Sequence, residues 1–440
     1  MTEFIFIKLS VIILSFSFVF LAWLSKKVVG HWLNPSSIFS LFWFLYSFVP
    51  LLLAFPVPID PSGLMYIFIF NLCFVASTGL FNWRLAFAKN LEKDSASDVF
   101  DKKIFRICFY GASAICIGAL VLGVITQGDM SIASFFVNPL MFAGEYAGKG
   151  YGGELKPSVA AQLGLATSYI VIVLGGVLYG AGFRKKHILF LAFTPSVLVM
   201  LLQSAKGLFF FSIFVFYAGV LISRLYDKSY YLATIDGMKK SVVYFSLIIP
   251  VILMSFLARG LQTVSDSAVI INRIIRFSIS YSSGHLYAFS DWFSDRYFKD
   301  SIFPHTQENL SGGFYTLMSF FRMLGDDREI TLGVYDVYYE HSFHIKTNIY
   351  TVFRGLITDF SLIGSLVFAL FVGFVCNLFF YRLLCSKKNA FYIVFFIFFV
   401  GISYQTYIIS TLMWVTIPFV FTVLTLFFWV YFSIYAKGKV

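Results

Sequence analysis

The chain has 440 residues, of which 59% are hydrophobic and only 12% charged, with a mean hydropathy of +0.83. A water-exposed surface needs roughly a quarter charged residues, so the composition excludes a soluble globular enzyme, a disordered chain and a DNA-binding domain. The formal charge of +11 fits Lys and Arg held on one side of a membrane better than a nucleic-acid footprint.

A bilayer core of about 30 Å takes roughly 20 apolar residues in a helix. In chain order, the stretches at about 4–24, 38–56, 65–83, 104–126, 160–183, 188–204, 207–223, 241–258, 355–381, 390–409 and 412–435 meet or approach that length. They predict an all-α polytopic membrane protein of about 11 spans (10–12), with only Ala205 and Lys206 interrupting the pair at 188–223. The first stretch reads as a retained signal anchor. Thr2 and Glu3 precede a long apolar core, and no small-x-small site follows. The basic residues of the segments around 25–37, 84–103, 184–187, 224–240 and 382–389 and of the tail after 435 fall on one side. The short opposite loops at 57–64 and 409–412 hold none. With eleven spans this predicts an outside N-terminus and a cytoplasmic C-terminus. The cysteines Cys73, Cys108, Cys116, Cys376 and Cys385 lie in spans or at their ends, as small apolar residues do.

Three parts follow: an N-terminal bundle over 1–258, a polar segment over 259–354, and C-terminal helices over 355–440. Two outside segments carry most of the polar chemistry. The one at 127–159 is rich in glycine (Gly144, Gly148, Gly150, Gly152, Gly153) with Glu145, Lys149, Glu154 and Lys156 interleaved. It lacks the GxxxxGK[ST] spacing of a phosphate cradle and reads as a flexible covering loop. The second, 259–354, holds His285, His305, His341 and His344 and more Arg than Lys. Arg suits two-pronged recognition of phosphate or carboxylate. A segment of this length in a chain otherwise thrifty with polar residues is expected to be functional.

Lys206, Arg259 and Arg354 come from three places in the chain and are expected near one depth, the outer headgroup boundary. Snorkelling to lipid headgroups is the plain alternative. Together, against the positive-inside bias, they point to a lipid-linked phosphate or pyrophosphate. Arg276 joins them as a candidate. Asp359, about one turn inside the membrane from Arg354, is a candidate substrate contact, with a structural ion-pair role as the alternative. His341-x-x-His344 beside Glu340 is not the HExxH spacing of a zinc site, and the chain contains no DxD. No metal or cofactor is therefore expected. Glu340, His344, His341 and Asp336 are candidate general bases. Trp292, Tyr315, Tyr335, Tyr338 and Tyr339 are candidates for stacking on sugar faces, or for ordinary packing.

The stretch Thr347-Asn348-Ile349-Tyr350-Thr351-Val352-Phe353-Arg354-Gly355-Leu356-Ile357-Thr358-Asp359-Phe360-Ser361-Leu362-Ile363-Gly364-Ser365 resembles the Wzy-type oligosaccharide repeat-unit polymerases. Those proteins show an Asn-x-Tyr-Thr run followed by Asp-Phe-Gly-x-x-Gly, and Ser361 stands here where they carry the first Gly. Leu33-Asn34-Pro35, Lys206-Gly207 and Tyr281-x-x-Gly284 ahead of Phe289 are also similar. The resemblance implies a GT-C-like glycosyltransferase of the bacterial inner membrane, acting on repeats linked to undecaprenyl pyrophosphate. It implies transfer of the growing chain to a new repeat, with Arg354, Arg259, Arg276 and Lys206 stabilising the departing pyrophosphate. Asn348, Tyr350, Tyr281 and Asp359 become substrate contacts, and a separate chain-length regulator becomes an expected partner. An O-antigen ligase is the nearest alternative. A flippase for the same lipid fits less well, because its charges belong inside the bundle and its loops are short.

Overall fold

The computed structural model describes residues 2–437 apart from 93, 129–130, 152, 157, 204–205, 236, 240–242, 244–245, 247–248, 251–266, 299–309, 329–334, 336, 342–344 and 387–388. In chain order the main helices are α1 (Thr2–Val29), α2 (Pro35–Leu53), α3 (Pro61–Ala76, extended by a 3-10 turn over Ser77–Leu80), α4 (Lys103–Gly128), α5 (Val159–Gly180), α6 (Lys186–Gln203), α7 (Gly207–Tyr226), α8 (Ser267–Tyr297), α9 (Phe314–Met323), α10 (Thr351–Cys385), α11 (Ala390–Gln405) and α12 (Thr416–Lys437). The one sheet among the described residues is the hairpin of β1 (Tyr339–His341) and β2 (Ile345–Thr347). It is antiparallel and pairs Tyr339 with Thr347, Glu340 with Lys346, and His341 with Ile345.

The protein is an all-α polytopic membrane protein. Among the described residues, eight helices are long and apolar enough to cross a bilayer: Thr2–Val29, Pro35–Leu53, Pro61–Leu80, Lys103–Gln127, Val159–Gly180, Gly207–Tyr226, Thr351–Cys385 and Thr416–Tyr435. Lys186–Leu202 and Ala390–Gln405, two of the expected spans, are apolar but shorter. The expected span at 241–258 lies almost wholly outside the described residues. The glycine-rich segment is more ordered than its composition predicts: Pro139–Tyr151 is a helix. Its Phe142 and Tyr146 pack on Val124 and Leu202.

The chain forms two compact units, each assembled from separate stretches. One comprises Met1–Phe87, Ile275–Arg382 and Ile402–Pro418; the other comprises Ala88–Ile274, Leu383–Gly401 and Phe419–Val440. In the second unit, α5 and α7 meet through glycines. A Cβ on Gly176 would lie 2.2 Å from the Phe216 carbonyl oxygen, and one on Gly219 would lie 2.7 Å from the Val177 nitrogen. Small residues at such crossings let backbones approach where lipid offers no hydrophobic drive to pair helices.

The first unit holds most of the candidate residues. Asn34 caps α2: its Oδ1 accepts from the Ser37 N–H at 2.8 Å, and Pro35 supplies the first helical residue. Asp60 caps α3 in the same way and also accepts from Ser294 Oγ at 2.7 Å, tying α8 to α3. Gly63 is required where these helices touch, because a Cβ there would sit 2.6 Å from Ser290 Cα. Further along α3 and α10, Asn377 Nδ2 donates to Ser36 Oγ, Ser77 Oγ and the Gly373 carbonyl at 3.0–3.1 Å. Buried amides satisfied across helices in this way act as polar glue.

Candidate functional site

The resemblance-bearing stretch folds around one arginine. Arg354 lies in the first turn of α10, and its guanidinium carbon sits 4.1 Å from the ring centre of Tyr335, 4.2 Å from Tyr350 and 5.3 Å from Trp292. Tyr335 and Tyr350 are buried together with Ala288 of α8 and Ile409, and Trp292, Tyr315, Tyr339, Ile408 and Met413 pack against them. Stacking of this kind is worth about 0.5–2 kcal/mol for a guanidinium, and it holds the plane of the group without using its N–H donors. The Arg354 Nη1 is buried and has no hydrogen-bond partner among the described residues. A buried cationic donor left unmatched is expensive, and no described residue supplies an acceptor for this atom.

The surrounding motif residues build this wall. Asn348 Nδ2 donates to the Tyr335 carbonyl at 3.2 Å, which fixes the segment that carries the Tyr335 ring. Tyr335 and Tyr350 meet edge to face at 5.6 Å, and Tyr315 stacks on Tyr335 at 6.0 Å. Gly355 is needed beside them, because a Cβ there would press on Tyr315 Cβ at 3.1 Å. Thr351 opens α10 with φ +67°, an outlier for a β-branched residue. Its buried hydroxyl accepts from the Phe353 N–H at 3.3 Å, and the Val352 N–H donates to the Thr406 carbonyl at 2.9 Å. Burial pushes the Tyr335 phenol well above its usual range, more than the neighbouring Arg354 lowers it, so the ring stays neutral beneath the cation.

Asp359 was expected to contact substrate or a cation. Instead its carboxylate serves the neighbouring helix α9. Its Oδ1 accepts from Ser311 Oγ at 2.5 Å and from the Tyr315 N–H at 3.0 Å; its Oδ2 accepts from the Thr316 N–H at 2.7 Å and Thr316 Oγ1 at 2.6 Å. The Tyr315 and Thr316 donors belong to the first turn of α9, whose N-cap residue Gly313 has φ +97° and provides no side-chain cap, and Ser311 lies just before it. Asp359 supplies the missing cap from another element. α10 breaks immediately afterwards: Ser361 has φ +68°, ψ 175°, a backbone region populated almost only by glycine. Its Oγ accepts from the Gly364 N–H at 3.2 Å and so restarts the helix. Glycine is the residue that this backbone prefers.

Glu340 bridges two cations, Arg276 Nη2 at 3.2 Å and Lys346 Nζ at 3.1 Å, on the exposed side of the hairpin. Together with the Lys346 N–H donating to Ser280 Oγ at 3.0 Å, this docks the hairpin on α8. Gly284, whose Cβ would stand 2.8 Å from Thr347 Cγ2, leaves room for it. Arg276 and Glu340, the expected leaving-group cation and candidate base, are thus paired with each other on an exposed face. Tyr281 is 44% exposed on the same helix. His341 is half-buried, with its Nδ1 unpartnered among the described residues. Arg259, Asp336 and His344 lie outside the described residues. Lys206 is buried at the start of α7 and belongs to the other unit.

Two buried groups escaped the sequence reading. Lys8, inside the first apolar stretch, is 1% exposed. Its ammonium donates to the Ala54 and Val57 carbonyls at 3.2 and 2.8 Å and to the Tyr287 hydroxyl, which itself donates to Ala54 at 2.8 Å. It caps the C-terminal end of α2 and binds α8 to it. A lone charge in an apolar span was the available signal. His285 is 2% exposed, and its Nε2 donates to the Tyr46 carbonyl at 3.0 Å, with Tyr46 and Tyr407 edge-on to the ring. Burial depresses its pKa to about 4. No sequence pattern distinguishes it from a surface histidine. Among the described residues no group of three or more His, Cys, Asp or Glu side chains is arranged to hold a metal.

The chain matches no protein-family profile, no curated protein and no solved structure.

Proposed function

We propose that the chain is a glycosyltransferase that polymerises oligosaccharide repeat units linked to undecaprenyl pyrophosphate. In this reading it works at the outer face of the bacterial cytoplasmic membrane, in an eleven-span, GT-C-like body with its N-terminus outside and its C-terminus in the cytoplasm. The observation that carries the proposal is the Arg354 guanidinium, oriented by Tyr335, Tyr350 and Trp292, with a buried Nη1 that has no partner among the described residues. An anion with several oxygens is the natural complement of such a group. The aromatic rings around it offer faces to sugars as well as to the cation.

A hydroxyl oxygen of the incoming repeat attacks the anomeric carbon of the growing chain. The new C–O bond forms as the bond from that carbon to the pyrophosphate oxygen breaks. The hydroxyl proton passes to a base, and the electron pair leaves with the pyrophosphate. Arg354 neutralises the charge that accumulates on the leaving group, and its stacked setting requires little reorganisation during the reaction. His341, whose Nδ1 has no partner among the described residues, suits the proton acceptor better than Glu340, which two cations already hold. Asn348 acts at one remove by fixing Tyr335.

The test is Arg354→Ala in a null strain, with glycan length read as a ladder on a gel. The expected result is collapse to single repeats at normal protein level, a rate loss on the order of 100-fold. Arg354→Lys should not rescue it, because an ammonium lacks the plane that stacks between rings. A normal ladder at normal protein level removes Arg354 from the reaction. In a purified assay, activity lost to a chelator and restored by a divalent ion would overturn the metal-free scheme.

A further inference from the structure

We infer that the end of α9 is an interfacial anchor that seats Phe320, Met323 and Leu324 in the bilayer at the boundary between headgroups and acyl chains. These three residues are 44%, 63% and 88% exposed, while Phe314, Thr316, Met318 and Ser319 of the same helix are buried. The exposed apolar end is not a loose loop. The Gly325 N–H bonds the Arg322 carbonyl at 3.1 Å, the Asp326 N–H bonds the Phe321 carbonyl at 3.0 Å, and Gly325 adopts φ +92°. That is the Schellman closure of a helix, and it holds Leu324 outward. Arg328 locks the following turn: it pairs with Asp326 at 2.6 Å and lies 3.7 Å over the Phe314 ring. A leucine held rigidly in the open calls for an apolar partner.

The depth of α9 identifies that partner. Between Ser361 and Arg382, α10 carries 20 residues without a charge. At 1.5 Å per residue they span about 30 Å, the thickness of a bilayer core. The exposed residues Ile363, Val367, Leu370, Phe371 and Phe374 form its lipid-facing stripe. Ser361 therefore marks the edge of the hydrocarbon, and Asp359, two residues before it, grips the first turn of α9. The first turn of α9 is thereby pinned at the interface, and its exposed end follows within a helix of only 10 residues, about 15 Å. The apolar surface is also continuous. Phe360 stacks on Phe368 at 4.9 Å within α10 and lies 3.5 Å from the position of a Cβ at Gly313, close to Phe321 of α9. An apolar helix end at that level, joined to a lipid-facing stripe, fits phospholipid acyl chains.

The test places a polarity-sensitive fluorophore at Leu324→Cys in the full chain, with the five native cysteines replaced, in nanodiscs of phosphatidylethanolamine and phosphatidylglycerol. Tyr338→Cys, on the exposed hairpin, is the comparison site. The expected result is blue-shifted emission at position 324, quenched several-fold more by a nitroxide lipid labelled near the headgroup than by aqueous iodide, with the reverse order at 338. Stronger quenching by iodide at 324 overturns the inference by placing this face in water. Protection from both quenchers also overturns it, because protein, either this chain or a second copy, then covers the face. Should the cysteine-free chain fail to fold, a photoreactive benzoylphenylalanine at position 324 of the otherwise native chain replaces the fluorophore. A phospholipid adduct by mass supports the anchor, and a cross-link to protein, or no lipid adduct, refutes it.

Discussion

Ser361→Gly should stabilise the protein, although it removes a side chain that makes a hydrogen bond. The present residue sits at φ +68°, ψ 175°, where a residue with a Cβ is strained by about 1–3 kcal/mol. Glycine relieves that strain. Against the gain stand two losses. The Ser361 Oγ accepts from the Gly364 N–H at 3.2 Å, and replacing a capping serine by glycine costs only a few tenths of a kcal/mol. Glycine also adds freedom to the unfolded chain, worth about 0.4–1 kcal/mol. The balance is a stabilisation of about 0.5–2 kcal/mol. Ser361→Ala is the informative companion, because it keeps the Cβ strain and loses the cap; it should destabilise by about 0.5–2 kcal/mol. Both are read as shifts in the thermal unfolding midpoint of purified protein in one detergent. An unchanged or lowered midpoint for the glycine variant would refute the assignment of strain at this break. Alanine performing as well as the native serine would refute the capping role.

Asp359→Asn should destabilise by about 2–4 kcal/mol, because an amide nitrogen then faces the N–H groups that the carboxylate now accepts. Limited proteolysis at Arg322 and Arg328 should accelerate as α9 loosens, and unchanged cleavage would show that the cap is dispensable. His285 predicts a pH dependence. Its folded pKa of about 4 lies below the ordinary value of about 6.5, so between these values the unfolded chain binds the extra proton. Stability is then full above about 6.5 and falls as the pH drops toward 4, by roughly 3 kcal/mol in total. Thermal midpoints measured across that window should show the slope in the native protein and a flatter one in His285→Gln; equal slopes would mean that another group titrates.

The apolar helices, their rough boundaries and the membrane class were legible in the sequence, because about 20 consecutive apolar residues have few alternatives to a lipid-spanning helix. Arg354 could be singled out for a related reason: charged residues beside an apolar span are sparse enough to be noticed. Asn348 and Tyr350 were marked only by the resemblance. What each of them touches could not be read, because the contacts join residues far apart in the chain. Asp359 illustrates the point. A carboxylate near a span suggests chemistry, yet its partners are backbone N–H groups of Tyr315 and Thr316, more than forty positions away. Glu340, a candidate base from the sequence, has Arg276 and Lys346 beside it in the fold, neighbours that no local pattern announced.

Local patterning decided what each segment becomes, since the period of apolar residues and the caps at Asn34 and Asp60 act within a few residues. Tertiary structure alone decided which charge keeps a buried nitrogen without a partner among the described residues. Lys8 and Arg276 look no less available than Arg354 in a list of basic residues, and packing gave the first two their acceptors while surrounding the third with aromatic rings. Whether a buried charge is matched depends on the groups that folding brings within about 3 Å, a property of the assembled unit rather than of neighbours in the chain.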